Sequence, residues 1–208
     1  MKLYHHPMSS NARKAVITAK VLGSPVQLQL VDLQKGEQRG PEFLKLNPNG
    51  AVPVLDDEGF VLTESNAIMI YLCEKAGAAG AALYPTGLRE RSTVNRWLFW
   101  MSNHWSPAIA GLNFENMLKK MFGQGDPDPA QVARHETFLK KFAAVLDGEL
   151  GTRTWVCGDS MTLADISIAT PLMYMQAAKL PLADFAHVNR WFEKVTALPA
   201  WKDTDPFK

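Results

Sequence analysis

The chain holds 208 residues, 47% of them hydrophobic and 21% charged, with a formal net charge of +1. That length buries a sizeable core, in one large domain or two modest ones, and the composition excludes disorder over most of the chain. The near-zero charge gives no global reason to expect nucleic acid or an anionic membrane as partner, and the two cysteines, without a Cys/His set at zinc spacing, give none for a metal.

The opening residues, Met1 to Pro7, carry too few consecutive apolar side chains for a signal peptide. No run approaches the roughly 18 apolar residues that a membrane span needs. The expectation is a cytoplasmic protein with free thiols at Cys73 and Cys157. Lys2 to His5 is a short strand candidate. Pro7-Met8-Ser9-Ser10-Asn11 is a turn dense in helix-capping residues, and Ala15, Val16, Ala19 and Leu22 then recur at helical spacing up to a stop at Gly23. Val26 to Leu33 alternates apolar and polar residues as a strand does. A polar loop from Gln34 to Gly40 and a short helix from Pro41 to Leu46 lead into the turn Asn47-Pro48-Asn49-Gly50. Val52-Pro53-Val54-Leu55 and Phe60-Val61-Leu62 read as two strands of a hairpin closed by Asp56-Asp57-Glu58-Gly59. Glu64-Ser65 precedes an apolar helix that ends near Gly77. The order βαβ, then ββα, describes a small α/β domain over residues 1–77.

Ala78-Ala79-Gly80-Ala81-Ala82 runs into Leu83-Tyr84-Pro85 as a small-residue linker, residues 78–86. Beyond it no strand pattern is longer than Trp155-Val156-Cys157, so residues 87–208 read as an all-α domain. Residues 87–122 form a long helical stretch bent at Pro107. Ala130 to Leu150 is a helix with Phe138, Phe142, Val145 and Leu146 on its apolar face and Gly151 as its stop. Thr162 to Lys179 and Val188 to Leu198 supply two more helices.

Three features of the first domain carry chemistry. At Ser9-Ser10-Asn11 a strand hands over to a helix, where unpaired backbone N–H groups and the helix dipole favour negative charge. A serine hydroxyl there either caps the helix or donates to an anion. Val52-Pro53 puts a proline in a strand-like run, which calls for a sheet edge or a cis bond. A cis bond would turn the carbonyl and N–H of Val52 outward, to pair with a peptide ligand in strand fashion. At Thr63-Glu64-Ser65 a second strand meets a helix; Ser65 can cap it or hold a carboxylate, and Glu64 offers an acceptor to an ammonium. An anion cradle, a pairing edge and a charge for an amine together describe a site for a small peptide. His5 and His6, adjacent on a strand, point to opposite faces and do not share a metal ion. Trp97, Trp100, Trp105 and Phe99 have helical spacing and read mainly as core, while Phe114, Met117, Met121 and Phe122 offer an adaptable apolar wall.

The pattern Asn47-Pro48-x-Gly50-x-Val52-Pro53-x-Leu55, followed by Glu64-Ser65-x-Ala67-Ile68, resembles the glutathione-binding half of the glutathione transferases. Met8-Ser9-x-Asn11 is most similar to the serine-type members, the phi class above all, with likeness to theta and delta. Thr162-Leu163-Ala164-Asp165 resembles the family's capping box and hydrophobic staple, in which Asp165 reaches back to the Thr162 N–H. The resemblance implies a thioredoxin-like α/β N-terminal domain followed by an all-α C-terminal domain, with glutathione as co-substrate, a small hydrophobic electrophile and a homodimer. It implies no metal, nucleic acid or membrane. Carried over residue by residue, it makes Ser9 the donor to the glutathione sulfur, with Ser10 the competitor in a beta-class register, and Asn11 a neighbour in the cradle. Val52, before a cis Pro53, pairs with the cysteinyl backbone; Glu64 and Ser65 hold the γ-glutamyl end; Gln38, Arg39 and Ala51 line the glycyl side. Asn103, His104 and Trp105 border the electrophile.

Two positions depart from the family pattern. Serine-type relatives often carry a histidine near Gln38, and many carry an arginine where Asn66 stands. Those losses motivate one rival reading, a non-catalytic ligand-binding or interaction protein on the same fold. A glutathione-dependent isomerase of the zeta type is the other, drawing on Ser9-Ser10 and Arg13.

Overall fold

Leu3 and Tyr4 are neighbours on strand β1 (Lys2–His5) and face opposite ways, as successive strand residues do. In the computed structural model, which describes all 208 residues, that alternation gives the first part of the chain its two cores. Helix α1 (Ser10–Val21) crosses over from β1 to the parallel strand β2 (Gln27–Leu30). Helix α2 (Pro41–Leu46) follows a 3-10 turn at Glu37–Arg39. Strand β3 (Val54–Asp57) runs antiparallel to β1, and β4 (Phe60–Leu62) antiparallel to β3, so the strand order is β2-β1-β3-β4. Leu3 lies opposite Leu55, and both are fully buried with Ala15 and Val16 of α1 and with Ile68 and Leu72 of α3 (Ser65–Lys75). Tyr4 lies opposite Val54 on the other face, where its ring meets Phe43 of α2 edge-on.

The hairpin is tighter than the sequence suggests. Asp56 and Asp57 belong to β3, and the turn is Glu58-Gly59 alone, with φ of 54° and 93°. Positive φ at both central residues is what a two-residue turn needs to follow the strand twist. Asp57 stays in the strand because it faces α3, where it accepts from the Tyr71 hydroxyl at 2.6 Å and pairs with the Lys75 ammonium. Pro53 precedes an interior strand, not an edge, and the Val52–Pro53 bond is cis. The stretch expected as a plain linker begins with a short helix, α4 (Ala78–Ala81), pressed on α3. A Cβ at Gly80 would lie 1.8 Å from the Cys73 carbonyl oxygen, so only glycine fits.

In the second part of the chain, α5 (Leu88–Trp100), α6 (Ser106–Asn113) and α7 (Lys119–Met121) are joined by two π turns, Met101–Trp105 and Phe114–Leu118. The wider turn explains how Pro107 is accommodated. Ser106 N–H already bonds five residues back to Met101, so the helix has changed register where the proline's missing N–H would interrupt it. Helix α8 (Pro129–Leu150) is capped by Asp128, whose carboxylate accepts from the Ala130 N–H at 2.8 Å. Its buried stripe is Leu139, Ala143, Leu146 and Leu150, whereas Phe138 and Val145, expected on the apolar face, are 41% and 50% exposed. The stripe runs one position later than the bulkiest residues suggest.

Helix α9 (Leu163–Ala169) tightens at Pro171 into a 3-10 segment, Thr170–Tyr174, instead of running on to Lys179. Its capping box is formed, and Asp165 is fully buried within it. That carboxylate accepts from the Thr162 N–H at 2.8 Å, the Val156 N–H at 2.9 Å and the indole of Trp191, on α10 (Ala186–Thr196), at 2.9 Å. The last helix, α11 (Pro199–Asp203), packs on α1. There the Arg13 guanidinium lies 4.1 Å from the Trp201 ring centre and donates to the Trp201 carbonyl at 2.9 Å. The chain therefore divides into two units, Met1–Thr86 with Ala197–Lys208, and Gly87–Thr196. No helix is long and apolar enough to cross a membrane.

Candidate functional site

Ser9 is the N-cap of α1. Its backbone is extended (φ −90°, ψ 112°), its carbonyl accepts the Arg13 N–H at 2.8 Å, and its hydroxyl oxygen accepts the Ala12 N–H at 3.2 Å. An oxygen that accepts this bond keeps its own hydrogen for a second partner. Capping and donation to an anion are therefore compatible in one side chain. Ser10 is the first helical residue, and both serines are half-buried. Asn11, exposed on the first turn of α1, accepts from the Ser65 hydroxyl across a long 3.5 Å contact.

Asn47 organises the next wall. Its amide donates to the Ala51 carbonyl at 2.7 Å, its side-chain oxygen accepts the Asn49 N–H, and its carbonyl accepts the Gly50 N–H. Gly50 has φ of 59°, and a Cβ there would come within 3.2 Å of the Gln38 carbonyl oxygen. Glycine thus lets the turn carrying Gln38 and Arg39 lie against the segment carrying Ala51 and Val52. Arg39 and Ala51 are exposed; the Gln38 side-chain oxygen is buried without a hydrogen-bond partner. Pairing of β3 with β1 begins at Val54, which leaves Val52 outside the ladder. The Val52 side chain joins the apolar cluster of Ala12, Phe43 and Val54, tying this wall to the start of α1.

The third wall is the start of α3. Glu64, not Ser65, holds the N-cap position, with φ of 66° and an exposed side chain; Ser65 is the first helical residue and is buried. Behind it Lys14 of α1, 1% exposed, donates to the Asn66 side-chain oxygen at 2.9 Å. Burial lowers the Lys14 ammonium from its ordinary 10.5 to about 7, against the opposing pull of the Glu64 carboxylate. Ser9, Ser10, Asn11, Glu64 and Ser65 are thus brought together, with Val52 linked to them through Ala12. Gln38, Arg39 and Ala51 gather around Gly50. Two concavities elsewhere in this unit, of about 210 and 580 Å³, include none of these residues.

The residues expected to border an electrophile lie in the second unit, on its first π turn. Asn103 and His104 are exposed, and the His104 ring stacks on Phe142 at 5.1 Å. Trp105 is fully buried, donates to the Ile168 carbonyl at 3.0 Å and stacks on Trp100. Its neighbours are core residues of its own unit, so it packs where a lining role had been expected. Burial pushes the Cys73 thiol up to about 12 and the Cys157 thiol up to about 11, which leaves neither as a nucleophile. Lys14 and Asn47 are the two residues that reading the sequence for function passes over. The signal for Asn47 is its Asn-Pro turn; the signal for Lys14 is a lysine inside the buried run Ala12–Ala19.

Residues 1–74 match the family model for the glutathione S-transferase N-terminal domain, and residues 109–199 match that for the glutathione S-transferase C-terminal domain. Glutathione transferase F7 from Populus trichocarpa is 30% identical, with a TM-score of 0.90 over 98% of this chain and 96% of that one. A delta-class glutathione transferase from Nilaparvata lugens is 34% identical, with a TM-score of 0.85 over 98% and 92%. A glutathione S-transferase-I structure with lactoylglutathione bound is 26% identical, with a TM-score of 0.89 over 100% and 99%.

Proposed function

The chain belongs to the glutathione S-transferase family and is a transferase enzyme, and from that premise we propose that it transfers glutathione to a small hydrophobic electrophile, with the Ser9 hydroxyl stabilising the thiolate. The observation that carries this reading is the Ser9 side chain itself, held at the α1 N-cap by the Ala12 N–H with its own hydrogen left to donate. A relative on the same fold that binds lactoylglutathione supports a site shaped for glutathione.

The energetics suffice without a general base or a metal. A free thiol titrates near about 8.5, and a drop of about two units requires roughly 2.7 kcal/mol of preference for the thiolate. A hydrogen bond to a charged acceptor contributes on the order of 1.5–3 kcal/mol, and a helix N-terminus roughly 0.3–1 kcal/mol more. Ser9 therefore acts as a donor to the anion and never forms a covalent bond; the nucleophile is the bound sulfur. Val52 offers its backbone to the cysteinyl residue, Glu64 and Ser65 receive the γ-glutamyl end, and Arg39 offers a cation to the glycyl carboxylate beside Gln38 and Ala51. On the same reading the enzyme serves detoxification in the cytoplasm as a homodimer, a state that sedimentation equilibrium tests.

Turnover of a generic aryl halide tests the assignment. Ser9→Ala is expected to lower kcat by about 100-fold, while Ser10→Ala stays within a few-fold of the parent. The bound thiol, followed by its ultraviolet thiolate band, should titrate about two units below the free one. Loss of activity in Ser10→Ala with retention in Ser9→Ala moves the donor to Ser10. A folded protein that binds glutathione without turning over any electrophile supports the binding-protein reading instead.

A further inference from the structure

Lys14 stands in the middle of the buried face of α1, in a run from Ala12 to Ala19 that is buried throughout. An apolar side chain would pack there without the cost of taking an ammonium out of water. Its surroundings say what the charge is for. Asn11 and Lys14 are one turn apart on α1, and both reach the first turn of α3: Asn11 meets the Ser65 hydroxyl, and the Lys14 ammonium meets the Asn66 side-chain oxygen at 2.9 Å. The N–H groups of that first turn have no partners within the helix and favour an anion. Yet the segment Glu64-Ser65-Asn66-Ala67 carries no cation of its own. Positive charge enters the cradle from α1.

We propose that Lys14 is a positioning residue for the carboxylate bound at the start of α3: its ammonium holds Asn66 in place and makes the site select a γ-glutamyl peptide whose α-carboxylate is intact. This rests on the glutathione reading above. Several charged groups near α1 have partners of their own. Arg13 is engaged by Trp201 and Thr204, Asp203 of α11 lies 3.8 Å from Lys20, and Asp57 pairs with Lys75; Glu64 is the carboxylate that acts on Lys14. Glu64 favours the ammonium, and a ligand carboxylate beside it would favour it further.

Calorimetric titration with two probes tests this. One is glutathione; the other is the same tripeptide with its γ-glutamyl α-carboxylate converted to the amide. The parent protein should prefer glutathione by roughly tenfold, the effect of one charge-assisted contact. Lys14→Met should bind both probes alike, at the affinity of the amide. Adding Asn66→Arg to Lys14→Met puts a cation on α3 itself and should restore the preference. Lys14→Gln, which keeps a donor toward Asn66 without the charge, gives the same answer as Lys14→Met should the latter fail to fold. If the uncharged variants keep the parent's preference, or lose affinity for both probes equally, Lys14 only packs and the inference is overturned. A parent that binds both probes alike overturns it while leaving glutathione as substrate. A parent that binds neither overturns both.

Discussion

Asp165 and Lys14 are buried charges, one in each unit, and their surroundings differ in kind. Asp165 is met by donors from three separate places: the Val156 N–H of an irregular loop, the Thr162 N–H ahead of α9, and the Trp191 indole of α10. Burial still raises its carboxyl above the usual range, with those hydrogen bonds pulling the other way. Lys14 is buried as deeply, but it meets the first turn of α3, where a ligand carboxylate is expected, and burial brings it to about 7. A charge whose partners are supplied by folding ties distant segments together. A charge placed beside an anion cradle costs stability in the free protein and is explained by what the cradle holds.

Removing the first charge should have the largest effect on folding. Asp165→Ala strips four donors, the Val156 and Thr162 N–H groups, the Thr162 hydroxyl and the Trp191 indole, of their acceptor in a dry site and is expected to cost about 3–5 kcal/mol, read as a fall in the urea midpoint. Asp165→Asn keeps one acceptor oxygen and should lose less. A cost below about 1 kcal/mol for Asp165→Ala would break the contrast, because the carboxylate would then be no tie at all.

The two residues were also unequally legible. Thr162-Leu163-Ala164-Asp165 resembles a capping box as written, since the bonds that define it span three residues and the spacing alone suggests them. The same holds for the turn at Asn47-Pro48-Asn49-Gly50 and the handovers at Ser9 and Glu64, which are local. Lys14 meets Asn66, 52 residues away, and Arg13 meets Trp201, 188 residues away. No periodicity carries that information. Helical spacing reads Trp105 as core, while the family resemblance sets it beside Asn103 and His104 at the electrophile; Trp105 is fully buried and His104 next to it is exposed. The register change at the π turns, which accommodates Pro107, is likewise invisible in composition.

The second variant sharpens the contrast from the other side. Lys14→Met replaces a desolvated ammonium by an apolar chain of similar length, and such replacements are often neutral or stabilising by about 1–4 kcal/mol. The expected result near pH 6.5 is a urea midpoint at or above the parent's, together with weakened glutathione binding. Stability and ligand selection would then move in opposite directions at one residue. A loss of stability greater than about 1 kcal/mol would instead make Lys14 a structural tie like Asp165.

The finest test is the pH dependence of that gain, and its sign follows from the lowered lysine. Unfolded, Lys14 titrates near its ordinary 10.5; folded, near about 7. Between those values the unfolded chain binds a proton that the folded one does not, so the parent's stability rises with pH, by at most about 1.4 kcal/mol per unit. Below pH 7 both states are protonated and the penalty for burying the charge is fully present. Above 10.5 both are neutral and the penalty is gone. Lys14→Met has no such group, so the midpoint difference between the two proteins should shrink steadily as pH rises from 7 to 9. Saturating glutathione should flatten the parent's curve over the same window, because the ligand carboxylate favours the charged lysine and moves its titration back toward the ordinary value. Parallel curves for parent and variant, with and without glutathione, would show that the Lys14 charge responds neither to burial nor to ligand.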